Sequence, residues 1–82
     1  DSSLIDRILE TVKSRFSEED INTIDGVKIS FESTRRWVHL RRSNTEPIIR
    51  IYAEAPTEAE ASALAEEVIN IAKSCFHSEQ AR

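Results

Sequence analysis

The sequence predicts an α+β domain of two layers, an antiparallel four-stranded sheet with two helices packed on one of its faces. Apolar residues recur with a period near 3.6 at both ends of the chain, and strict alternation of apolar and polar residues occupies the middle. The chain's one glycine sits in an Asp-Gly pair between two of the alternating runs. Two helical stripes can cover the single apolar face of one antiparallel sheet, which yields one core. A chain of 82 residues has no room for a second core, so residues 1–82 are read as a single domain.

Leu4, Ile5, Ile8, Leu9, Val12 and Phe16 mark the first helix. Ser2 or Ser3 can cap it. Ser3 with Asp6 resembles a capping box with the shorter acid, and Asp6 also complements the helix dipole. The polar stretch 16–20 ends this helix. Residues 21–24 and 27–32 flank Asp25-Gly26, a hairpin signal because both positions of the tight turn favour positive φ. In the second arm Val27, Ile29 and Phe31 alternate with Lys28, Ser30 and Glu32. Residues 37–41 place Val38 and Leu40 on one face and Trp37, His39 and Arg41 on the other. Residues 48–55 place Ile49, Ile51 and Ala53 opposite Ile48, Arg50, Tyr52 and Glu54. The closing helix begins at Thr57, where Thr57-Glu58-Ala59-Glu60 forms a capping box after Pro56. Ala61, Leu64, Ala65, Val68, Ala72, Cys75 and Phe76 mark its buried stripe.

Charge narrows the function classes. The net charge of −4 argues against a general nucleic-acid binder. Yet of eleven Lys and Arg residues, five (Arg35, Arg36, Arg41, Arg42 and Arg50) lie between positions 35 and 50, opposed there only by Glu46. A mildly acidic body with one basic segment points to a local anion site. No apolar run approaches the roughly 18 residues of a membrane span, and the N-terminus lacks the layout of a signal peptide. A soluble, cytoplasmic chain without a membrane partner is therefore expected. The lone cysteine, Cys75, cannot form an internal disulfide, which suits a reducing compartment. The chain opens with Asp1 rather than Met, as a fragment or processed piece would.

The inventory for catalysis is thin. Two histidines, one cysteine and scattered carboxylates give no metal-ligand spacing, no nucleophile with a base, and no Gly-rich phosphate loop. His39 reads as a strand residue on the polar face, His77 lies near the C-terminus, and Cys75 reads as a buried structural thiol. One segment stands out, Leu40-Arg41-Arg42-Ser43-Asn44-Thr45-Glu46-Pro47 between two strands. Arg offers a planar fork of donors suited to phosphate oxygens, and Ser and Thr add hydroxyl donors. A short turn also exposes backbone N–H groups that can point into one concavity. Asn44 tolerates left-handed backbone, and Pro47 pushes Glu46 toward extended geometry. Arg41 and Arg50 both fall on the polar faces of their strands, so two cations can converge on one anion. An ordinary polar loop with solvated arginines is the competing reading on physics alone.

The run Arg41-Arg42-Ser43-Asn44-Thr45-Glu46-Pro47-Ile48-Ile49-Arg50-Ile51-Tyr52-Ala53-Glu54 resembles the phosphate-binding signature in the C-terminal domain of the α-D-phosphohexomutases. These form the phosphomannomutase and phosphoglucomutase family. Its pattern is Arg-any-Ser-Gly/Asn-Thr-Glu-Pro, then two residues and Arg. Asp25-Gly26-Val27-Lys28 resembles the family's hairpin and Trp37-Val38-His39-Leu40 the strand feeding the loop, so the likeness covers the chain from Ile21 to about Ser74.

The resemblance implies a TBP-like C-terminal mutase domain, the fourth of a four-domain enzyme. There a phosphoserine elsewhere exchanges its phosphoryl group with a hexose phosphate through a bisphosphate intermediate. It implies that Arg41, Ser43, Asn44 and Thr45 hold the non-reacting phosphate, with Arg50 adding charge from the adjoining strand, while Arg42 fills the variable position. Mg²⁺ and the sugar-reading loop belong to other domains, and no cofactor is expected in this one. The implied partners are a hexose phosphate and the remaining domains of the enzyme, and this chain alone is expected to be inactive. Hexose and glucosamine phosphates both remain open as substrates. A rival reading, single-stranded nucleic acid stacking on Trp37, His39 and Tyr52, lacks RNP-type aromatic motifs and meets repulsion from Glu32 and Glu54.

Overall fold

Helix α1 (Ser2–Arg15) leads into strand β1 (Asp20–Asn22), followed by β2 (Val27–Phe31), a 3-10 turn (Glu32–Thr34), β3 (Arg36–Arg42), β4 (Ile49–Glu54) and helix α2 (Glu58–Gln80). The computed structural model describes residues 2–43 and 48–80. The strands form one sheet in the order β1-β2-β3-β4, every neighbouring pair antiparallel. This is the expected antiparallel four-stranded sheet, its strands in sequence order. Val27, Ile29, Phe31, Val38 and Leu40 are buried from the sheet, and Ile49, Ile51 and Ala53 pack half-buried against them. Ile8 and Val12 of α1 and Leu64, Val68, Ile71 and Cys75 of α2 complete the same cluster, so both helices cover one face. No helix among the described residues is long and apolar enough to cross a membrane.

The start of α2 follows from its capping residue. Glu60 N–H donates to Thr57 Oγ1 at 3.2 Å, and the Thr57 hydroxyl donates to Glu60 Oε1 at 2.9 Å. The box thus closes on the hydroxyl itself, while Ala61 N–H donates to Thr57 O at 3.1 Å as the first helical bond. Its buried stripe differs from the expected one at two positions. Ile71 is buried and Phe76 is 48 % exposed, because the 64-68-71-75 spacing tracks the sheet and Phe76 rotates off it. At the other end, α1 begins at Ser2, so Ser3 lies inside the helix and does not cap it. Asp6 accordingly lies beyond the first turn.

The β1–β2 connection corrects the expected two-residue turn. The ladder closes at Asn22 opposite Lys28, and Ile24 is 91 % exposed instead of paired. Within Asp25-Gly26 only Gly26 has positive φ, +79°. Asn22 Oδ1 accepts from Ile24 N–H at 2.9 Å, an Asx turn that captures the backbone before the ladder can extend. Gly26 lies hard against β3, where a Cβ would stand 2.2 Å from Leu40 O. Glu32 leaves β2 for the 3-10 turn, which ends on Arg35 in left-handed backbone at φ 56°. That conformation costs a non-glycine residue roughly 1–2 kcal/mol. Arg36 then lies over the Phe31 ring at 5.0 Å. Two of the five clustered arginines therefore serve this turn.

Candidate anion-binding site

The site is built where β3 hands the chain to β4. Alternation puts Trp37, His39 and Arg41 of β3 and Arg50, Tyr52 and Glu54 of β4 on the face the helices leave uncovered. Register then fixes neighbours: His39 stands opposite Tyr52, and Arg41 opposite Arg50. Both arginines are exposed. Directly opposed side chains in an antiparallel pair lie roughly 5 Å apart at Cβ, and like charges there repel. Such a pair is an electrostatic cost to the sheet and an attraction for an anion. Just beyond it, Ser43 N–H donates to Ile48 O at 3.1 Å and closes the mouth of the loop.

Of the residues expected at the site, Arg41 and Arg50 are brought together and Ser43 stands at the loop mouth beside them. Asn44 and Thr45 lie outside the described residues, as do Glu46 and Pro47. Arg42 takes the other face and ion-pairs with Asp6 of α1. It thus stands on the opposite face of the sheet from the Arg41–Arg50 pair.

Two further contacts were missed in the sequence. Arg41 Nη2 lies 3.0 Å from Asp25 Oδ2. His39 Nε2 lies 2.6 Å from Asp25 O, and since a carbonyl only accepts, this nitrogen donates. Asp25 had signalled only a turn, and no local spacing links it to β3. The one available signal was strand pairing, which carries the β1–β2 loop past the end of β3. Elsewhere on the open face Lys28 Nζ sits 4.6 Å from the Trp37 ring centroid. That cation covers the ring a stacking base would need. Cys75 is buried and its thiol donates to Thr11 Oγ1 at 3.5 Å, as a structural thiol would. Among the described residues no three His, Cys, Asp or Glu side chains gather to hold a metal.

Comparison with known proteins adds an independent line. Residues 4–71 match the family model described as phosphoglucomutase/phosphomannomutase, C-terminal domain. The chain is 41 % identical over 69 residues to a protein of Methanopyrus kandleri named probable phosphoglucosamine mutase, covering 84 % of this chain and 15 % of that protein. It is 40 % identical over 73 residues to one of the same name from Pyrococcus horikoshii, covering 89 % and 16 %. A phosphomannomutase of Methanocaldococcus jannaschii is 34 % identical over 64 residues, covering 78 % and 14 %. The chain thus spans about a seventh of the length of the relatives it matches.

Proposed function

Because the chain belongs to the family of phosphoglucomutase/phosphomannomutase C-terminal domains, we propose that it holds the non-reacting phosphate of a hexose phosphate in a four-domain phosphohexomutase. That enzyme interconverts hexose 1-phosphate and 6-phosphate through a phosphoserine and a bisphosphate intermediate. The observation that carries this reading is the cross-strand pairing of Arg41 with Arg50 at the mouth of the 43–48 loop.

Phosphoryl transfer depends mainly on positioning and on stabilising charge, and a clamp on the far phosphate supplies position. Arg41 and Arg50 offer two guanidinium forks to one dianion, whose arrival turns their mutual repulsion into shared attraction. Ser43, Asn44 and Thr45 add hydroxyl, amide and backbone donors. Magnesium would stabilise charge at the transferred phosphoryl group, in a domain other than this one. The names of the two relatives near 40 % identity favour a glucosamine phosphate over a mannose or glucose phosphate as substrate.

Each charge-assisted hydrogen bond contributes roughly 1.5–3 kcal/mol before ordering costs, and an exposed loop forfeits much of it. Millimolar affinity, about −4 kcal/mol, is expected for this chain alone. The test is an NMR titration of the chain with glucosamine 6-phosphate and with inorganic phosphate at constant ionic strength. Shifts centred on residues 41–50 are expected. Shifts confined elsewhere, or none at high millimolar ligand, would remove the case for a phosphate clamp.

A further inference from the structure

Two consecutive open-face residues of β3 grip a single residue of the β1–β2 loop: His39 donates to the backbone carbonyl of Asp25 and Arg41 pairs with its carboxylate. Backbone and side chain of Asp25 are thus both fixed from β3. Exposed ion pairs are common and contribute little to stability, and this one is half open to solvent, at 47 % and 65 % for the two side chains. Two features set it apart. The loop can approach β3 only because Gly26 has no side chain and φ +79°, its Cβ position lying 3.2 Å from the Arg41 Cα. And Arg41 faces Arg50 on its other flank, so without a counter-charge the two guanidinium groups drive each other apart.

We propose that Asp25 is the positioning residue for Arg41, engaging one guanidinium nitrogen, offsetting the repulsion from Arg50, and holding the fork over the loop end of β3 before phosphate arrives. The proposal rests on the phosphate-clamp reading. Asp25 does not touch the phosphate, which its carboxylate repels. Its contribution is that Arg41 is ordered in advance, so less side-chain freedom is lost on binding. The two effects have opposite signs, which makes the proposal decidable. If Asp25 were merely a nearby negative charge, its removal would tighten anion binding.

The experiment compares the wild-type chain with Asp25→Ala and Asp25→Asn, each titrated with inorganic phosphate at constant ionic strength and followed at residues 41–50 and at the Arg41 Nε–H signal. Asp25→Ala is expected to weaken phosphate binding about three- to tenfold and to collapse the Arg41 side-chain signal toward rapid averaging. Asp25→Asn, whose amide oxygen still accepts one N–H, is expected to fall between. Thermal melts of the three chains serve as the check on folding. Equal or tighter binding in Asp25→Ala, with the fold intact, overturns the proposal. No response of the wild-type chain at 41–50 overturns the clamp reading first, and the role of Asp25 with it.

Discussion

Arg42 follows Arg41 in sequence yet leaves the sheet on the helical side, where it ion-pairs with Asp6 of α1, while Arg41 pairs with Asp25 on the open side. Consecutive strand residues must point to opposite faces, so of two adjacent arginines only one can attend the loop. Replacing Arg42 with Ala is expected to leave phosphate affinity within about twofold and to lower stability by under about 1 kcal/mol. Replacing Arg41 with Ala is expected to lower that affinity about tenfold, near 1.4 kcal/mol. Parallel titrations decide it, and an equal loss in both variants would put the anion on a different surface.

Arg50 gives a prediction of split sign. It stands opposite a like charge, so Arg50→Ala should weaken phosphate binding severalfold while leaving the fold as stable or more stable by a few tenths of a kcal/mol. Urea denaturation beside the titration reads both quantities. A clear loss of stability would mean that the arginine pair supports the sheet.

Gly26→Ala should cost more than about 1 kcal/mol, since alanine resists φ +79° and its Cβ would meet Leu40 O. Phosphate binding should weaken as well, because the loop that carries Asp25 has to lift off β3. Unchanged melting together with unchanged binding would contradict the close approach.

Leu40 is fully buried on the strand that presents His39 and Arg41. Leu40→Ala should cost roughly 2–5 kcal/mol. Thr57→Ala, which removes the hydroxyl cap of α2, should cost about 1 kcal/mol. Chemical denaturation of the two variants side by side checks the ranking.

What could be read in the sequence was whatever repeats with a period. Val38 and Leu40 against Trp37, His39 and Arg41 separate the two faces of β3 without any knowledge of its neighbours, and the pairing of Arg41 with Arg50 follows once the strands are antiparallel. The misreadings sit where one side chain outcompetes a pattern. Asn22 takes the Ile24 N–H and shortens β1, and Arg35 turns left-handed where no glycine announces it. Asp25 and Asp6 carried no signal of their partners, because their ion pairs depend on where a loop and a helix come to rest against β3. The loop signature itself was legible as a resemblance, since arginines and hydroxyls alone fit a solvated turn equally well.

The hydrogen bond from Ser43 to Ile48 bears on how freely sequences of this kind can be recombined. The two strand ends are tied to each other there, so the ladder is already closed at the positions that flank the loop. Doubling the length of such an insert changes its closure entropy by only about 0.6 kcal/mol. Segments 44–47 from different relatives should therefore be exchangeable at little entropic cost, with phosphate affinity the quantity that reads the swap. By the same reasoning, a foreign antiparallel hairpin given a facing pair of arginines and this clasp would be a rational host for the loop.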